Sequence, residues 1–184
     1  MFIQTEETPN PNALKFLPGV DISPKGPVFF NNFDEARAQS SLAAKLYGVD
    51  NVEAVFLGAD FITVTKNPQS EWKLLKPEIL MVIMDHLVSG LPIFNDNENT
   101  CTQINTEGLS EIEKQIIEIL DKDIRPSVAM DGGDITFEKY EDGILFLQMK
   151  GSCAGCPSST MTLKMGIENR LRQVIPDLIE VVSV

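Results

Sequence analysis

Apolar positions fall into three rhythms along the chain, and each rhythm predicts a different kind of element. Leu163, Ile167, Leu171 and Val174 recur on one helical face, as do Leu109, Ile112, Ile116, Ile119 and Leu120 further upstream. Between these two helices, residues 135–140 and 144–149 alternate apolar and polar around the turn Glu141-Asp142-Gly143, the pattern of a tight β-hairpin. Pro176 then precedes a last apolar strand over 178–184. Ser110 is the expected N-cap of the first of these helices, and Arg125-Pro126 its expected end. The order α-β-β-α-β predicts a three-stranded mixed sheet packed by two helices, with a right-handed crossover between its last two strands.

The first half reads differently. Short extended runs around 2–6 and 13–17 flank the turn Thr8-Pro9-Asn10-Pro11-Asn12. A helix over 33–47 is expected to close at Gly48, and runs at 52–57 and 61–65 form a hairpin through Gly58-Ala59-Asp60. Leu75, Ile79, Val82, Ile83 and Leu87 predict another helix, placed mostly after Pro77, with Pro77 in its first turn, or else kinked at Pro77, and stopped by Gly90 and Pro92. Residues 95–107 are polar, Asn-rich and without period, as a linker should be. The fold class is therefore α+β in two small domains: 1–90, a linker over 91–107, and 108–184.

Charge narrows the class of partner. There are 7 basic against 11 acidic side chains in 1–88, none against 3 in 89–108, and 8 against 13 in 109–184. No segment supplies the basic footprint that a phosphate backbone or an anionic lipid surface requires, so neither nucleic acid nor membrane is expected as a partner. The N-terminus lacks the basic and apolar regions of a secretory signal, and the Arg-rich, acid-poor character of a transit peptide. The expectation is a cytoplasmic chain, or a mitochondrial one in its mature form. Three cysteines, Cys101, Cys153 and Cys156, are too few and too odd for a secreted disulfide framework.

The chemistry sits in Gly151-Ser152-Cys153-Ala154-Gly155-Cys156-Pro157, between a predicted strand and a predicted helix. Two thiols separated by Ala and Gly can point to one centre and leave room for a bulky ligand. At a helix N-terminus, orphan amides and the dipole favour anionic sulfur, so a depressed thiol pKa is expected. Zinc and cubane iron-sulfur sites usually take four protein ligands, and one chain supplies two close thiols. His86, the sole histidine, lies in the other domain. Two copies of the loop around a twofold axis would complete the set. Three readings remain open at this point: an iron-sulfur site, a zinc-bridged structural dimer, and a CxxC thiol-disulfide oxidoreductase. Against the last, no aromatic residue precedes the motif and the last elements are too few for a thioredoxin fold. Asp131 and Asp134, which flank Gly132-Gly133, are expected in a turn; His86 is expected to be a surface or packing residue rather than a ligand, and Trp72, Met81 and Met84 to pack in the core or at its edge, a methionine-rich face being the binding alternative.

Around this loop the sequence resembles the NifU C-terminal-like domain of Nfu proteins, with Met130-Asp131-Gly132-Gly133-Asp134 upstream and Thr162-Leu163-Lys164-Met165-Gly166-Ile167-Glu168 downstream. Residues 8–16, 60–66 and Trp72 with Leu75-Lys76-Pro77 likewise resemble the Nfu N-terminal domain. The resemblance implies an iron-sulfur cluster scaffold or carrier and not an enzyme. It implies a 4Fe-4S cluster bound by Cys153 and Cys156, bridged between the subunits of a homodimer. The cluster would pass to client apoproteins, while the first domain recruits clients or cluster-assembly proteins. Cys101 is not carried over as a ligand.

Overall fold

The computed structural model describes residues 2–95, 109–154 and 157–184, with 157–160 described in backbone alone. The chain divides into two compact units, Met1–Cys101 and Thr102–Val184. The predicted linker beyond residue 95, Cys101 and Cys156 lie outside the described residues.

The first unit is an antiparallel sheet in the order β1-β2-β5-β4-β3, formed by β1 (Gln4–Glu7), β2 (Ala13–Leu17), β3 (Val28–Phe30), β4 (Val52–Leu57) and β5 (Ile62–Lys66). Strand alternation divides its side chains between two faces. Phe16, Phe30, Val55, Leu57, Ile62 and Val64 join the core with three helices, whereas Phe56 stacks between Phe29 and Phe61, at 6.5 and 5.7 Å between ring centroids. Lys15 lies 4.7 Å over the Phe61 ring, on the same side.

The helices depart from expectation in two places. The helix predicted over 33–47 is two, α1 (Phe33–Gln39) and α2 (Ser41–Tyr47). Ser40 between them is extended, with φ −139° and ψ 117°. Its hydroxyl accepts from the Ala43 amide and donates to the Ile93 carbonyl at 2.7 Å, so the break gains a cap and a tether together. The next helix, α3 (Trp72–Val88), runs through Pro77 rather than starting near it. Its inward residues Leu75, Ile79 and Ile83 are buried, while Leu74, Met81, Met84 and Val88 are exposed, so the two methionines expected to pack face outward. Of the two positions open to His86, surface or interior, the fold takes the interior. The residue is fully buried, its Nε2 lies 3.2 Å from the Pro92 carbonyl, and burial lowers its pKa. Asn95 Nδ2 donates to the Arg37 and Ala38 carbonyls, which ties residues 92–95 to this unit.

The second unit carries the three-stranded mixed sheet that the pattern predicts. β6 (Gly133–Glu141) pairs antiparallel with β7 (Ile144–Gly151), and β7 pairs parallel with β8 (Glu180–Ser183). Asp142 and Gly143 both have positive φ, 51° and 79°, as a type I′ turn requires. Ser110 caps α4 (Glu111–Ile119) in a full capping box with Glu113. The helical run does not stop at Arg125-Pro126: a π-helical turn, Leu120–Ile124, leads into α5 (Arg125–Met130). The wider π turn removes the register in which the Pro126 ring would meet the carbonyl four residues back, and Pro126 then occupies the first turn of α5, where its missing N–H costs nothing. Helix α6 (Pro157–Arg172) closes the layer through Ile167 and Leu171, both buried.

Candidate metal centre at the cysteine loop

Cys153 stands two residues beyond the end of β7, and its position is fixed from three sides. Gly151, the last residue of β7, has φ +66° and faces Gly133 across the ladder. The Ser152 amide donates to the Gly132 carbonyl at 3.2 Å, and the Ser152 hydroxyl donates to the Asp131 carbonyl at 2.6 Å. The Ala154 amide closes the turn onto the Gly151 carbonyl at 3.1 Å. The cysteine loop and the Asp131-Gly132-Gly133-Asp134 segment are thus stitched into one structure, although twenty residues separate them in sequence.

Gly133 is required by what faces it, the Lys150 carbonyl and the Cys153 sulfur together. A Cβ placed there would sit 2.6 Å from Cys153 Sγ, 2.8 Å from the Lys150 carbonyl oxygen and 3.1 Å from Ser152 Oγ. The close approach of the strand backbone to the thiol leaves no room for any side chain, and Gly132, with φ +78°, makes the turn that brings it in.

Asp134 is not a turn residue. It is buried, and its carboxylate accepts both arms of the Arg125 guanidinium, Nε to Oδ1 and Nη2 to Oδ2, each at 2.8 Å. Arg125 Nη1 also donates to Asp121 Oδ1 at 2.9 Å. The pair anchors the first turn of α5 to the start of β6, next to the glycine that touches Cys153. The spacing of Asp134 from Arg125 carries no local motif, so the sequence alone gives no sign of this bond.

The electrostatics of Cys153 differ from expectation. The thiol is 7% exposed and packed with Met149 and Leu147 in the core of the unit. Burial pushes its pKa from 9.0 up to about 11, and Asp131 and Asp134 push the same way, against a lowering contribution from Ser152. Desolvation of the thiolate outweighs the helix N-terminus that the sequence places nearby. Because the native thiol holds its proton where the unfolded one has lost it, stability should fall as pH rises from about 9 to about 11. In a Cys101→Ser, Cys156→Ser background, iodoacetamide should alkylate native Cys153 slowly at pH 8, with a rate still rising tenfold per unit above pH 9. A plateau reached by pH 8 would contradict the buried, protonated thiol.

The remaining predicted residues are dispersed. His86 is buried in the other unit. Trp72 is half-buried there, and its Nε1 donates to the Pro11 carbonyl at 2.9 Å. With Thr8, Asn10, Pro11 and Lys76 it lines a cleft of about 460 Å³. Among the described residues no three His, Cys, Asp or Glu side chains converge on a possible metal position. No helix among them is long and apolar enough to cross a membrane.

Two family models match the chain. Residues 3–90 match the model described as scaffold protein Nfu/NifU N terminal, and residues 116–182 match the NifU-like domain. A protein of Drosophila sechellia named NFU1 iron-sulfur cluster scaffold homolog, mitochondrial, is 51% identical over 97% of this chain and 63% of its own length. The protein of the same name from Drosophila simulans is 50% identical, with the same coverage. The chain thus spans somewhat under two thirds of these relatives. A solved NifU-like protein from Saccharomyces cerevisiae covers 52% of this chain and 85% of its own at 30% identity, with a TM-score of 0.46.

Proposed function

The chain belongs to the Nfu family of scaffold proteins, and on that premise we propose that it carries a labile 4Fe-4S cluster as cargo, bridged by Cys153 and Cys156 of two copies, and hands it to client apoproteins. The observation that carries this reading is the Gly133 cradle. The start of β6 is brought against the Cys153 sulfur, the Lys150 carbonyl and Ser152 Oγ so closely that a methyl group is excluded, which holds the thiol in place at the mouth of the CxxC loop.

The donor set fits the cargo. Thiolates are the usual protein ligands of 4Fe-4S clusters, four to a cluster, and the loop of one chain offers two. A cluster shared across a twofold axis is released by separating the subunits or by stepwise exchange with client thiols, whereas four cysteines of one chain would retain it. Loading must displace the Cys153 proton, so uptake is favoured by rising pH. The role is that of a carrier without catalytic turnover. The first unit recruits clients or assembly proteins, and the work takes place in the compartment named for the relatives, the mitochondrion.

Transfer is the test. Anaerobically loaded protein, mixed with an excess of an apo-protein bearing a four-cysteine site, should lose its visible absorbance as the recipient gains its own. A loaded form that keeps its cluster through the challenge would sink the carrier role.

A further inference from the structure

Helix α6 carries a glycine with no reason to be glycine inside its own chain. Gly166 lies mid-helix, where glycine lowers the helix equilibrium about fivefold relative to alanine. A Cβ built on it meets no atom of the described residues within 4 Å. It is exposed, as are Met161, Thr162, Met165 and Asn169. At 100° per residue, Thr162, Met165, Gly166 and Asn169 share one solvent-facing strip, with Met161 at its border. Two exposed methionines beside an unfilled glycine make a surface shaped for close approach.

The strip is also free of charge, in a chain of net charge −12. All four charged residues of α6 are drawn aside into ion pairs: Lys164 with Glu180, Arg170 with Asp123, and Arg172 with Glu168. Two copies of so acidic a chain repel one another unless an uncharged face meets an uncharged face. The sequence also fixes where this helix must lie, since α6 begins at Pro157, directly after Cys156. Any bridge between the thiol loops of two copies brings the first turns of their α6 helices together.

We infer that this face of α6, centred on Met165 and Gly166, is the contact surface for a second copy of the chain when a cluster joins the two. The inference rests on the bridged reading above and adds the surface to it. Gly166 lets the two helix axes approach toward the near end of the usual 8–10 Å range. The methionines fill the space to either side, their flexible thioethers suiting an interface that must open to release cargo.

The test uses the full chain with Gly166→Gln and, separately, Met165→Lys, each compared with wild type by thermal unfolding of the apo form and by sedimentation after anaerobic reconstitution. Gly166→Gln should unfold at or above the wild-type temperature, since glutamine is a good helix former and meets open space. Once loaded, both variants should dissociate at least tenfold more readily than wild type, with iron and sulfide per chain falling in step. Loaded dimers of wild-type affinity in both variants would overturn the assigned surface and leave the bridged cluster standing. An apo Gly166→Gln protein less stable than wild type would overturn it as well, by showing that the glycine serves its own fold. A wild-type monomer that holds a complete cluster would remove the bridged reading itself.

Discussion

Gly133→Ala should cost the protein both stability and its capacity to load. The added methyl group would lie 2.6 Å from Cys153 Sγ and 2.8 Å from the Lys150 carbonyl oxygen. The sulfur could rotate away, but the carbonyl belongs to β7, paired in register with β6 from Gly133↔Gly151 onward, and can yield only by moving the strand. Overpacking of this kind typically costs about 1–3 kcal/mol. The same displacement shifts Cys153 relative to its loop, so iron bound after reconstitution should fall about tenfold or more, the loss typical when the surroundings that orient a metal ligand are disturbed. Urea unfolding and iron analysis of the alanine variant check both halves. Wild-type loading in a folded Gly133→Ala protein would mean that the close approach has no part in holding the site.

The second large effect belongs to Arg125. Removing the guanidinium by Arg125→Met leaves the Asp134 carboxylate, 7% exposed, without its two charge-assisted hydrogen bonds. Breaking a buried pair from one side costs about 3–5 kcal/mol. Asp134→Asn should cost less. Arg125 is 31% exposed and keeps Asp121, so its charge stays solvated and paired. At roughly 4–8 °C per kcal/mol for a unit of this size, the two variants should be separated clearly by calorimetry. Equal losses would show that Asp134 is not the strained partner. A larger loss for Asp134→Asn would reverse the assignment of which charge depends on the other.

Periodicity made the second unit legible nearly to its strand order. Leu163, Ile167 and Leu171 are spaced for one helical face, and the Asp142-Gly143 turn can be built in few ways. Pro126 misled because a proline inside a helical run ordinarily ends it, and the π turn that admits it depends on tertiary packing rather than on local preference. Ser40 was missed for the opposite reason. The apolar rhythm passes straight through it, and only the distant Ile93 carbonyl shows why the helix breaks there. Apolar residues on both faces of α3 hid the outward turn of Met81 and Met84, since spacing cannot say which of two stripes faces the core.

At the site the legibility was of another kind. The cysteine motif and its glycines stood out by composition, but their spatial relation did not. Nothing in the sequence says that Gly133 rests against Cys153, that Ser152 binds the Asp131 carbonyl, or that Asp134 leaves the turn for Arg125. The first two are contacts between the two ends of the β6–β7 hairpin, which a one-residue change of register would replace, and the third joins α5 to β6. The pKa of Cys153 followed from the same blind spot. A helix N-terminus can be read from sequence, whereas the burial that outweighs it depends on the folded core.

The most direct test of the central claim is anaerobic native mass spectrometry of the reconstituted full chain beside Cys153→Ser and Cys156→Ser, with subunits, iron and sulfide counted in one spectrum. A wild-type dimer holding a single 4Fe-4S unit, absent from both variants, is the predicted result. A metal-free monomer, or a dimer holding only zinc, would contradict it.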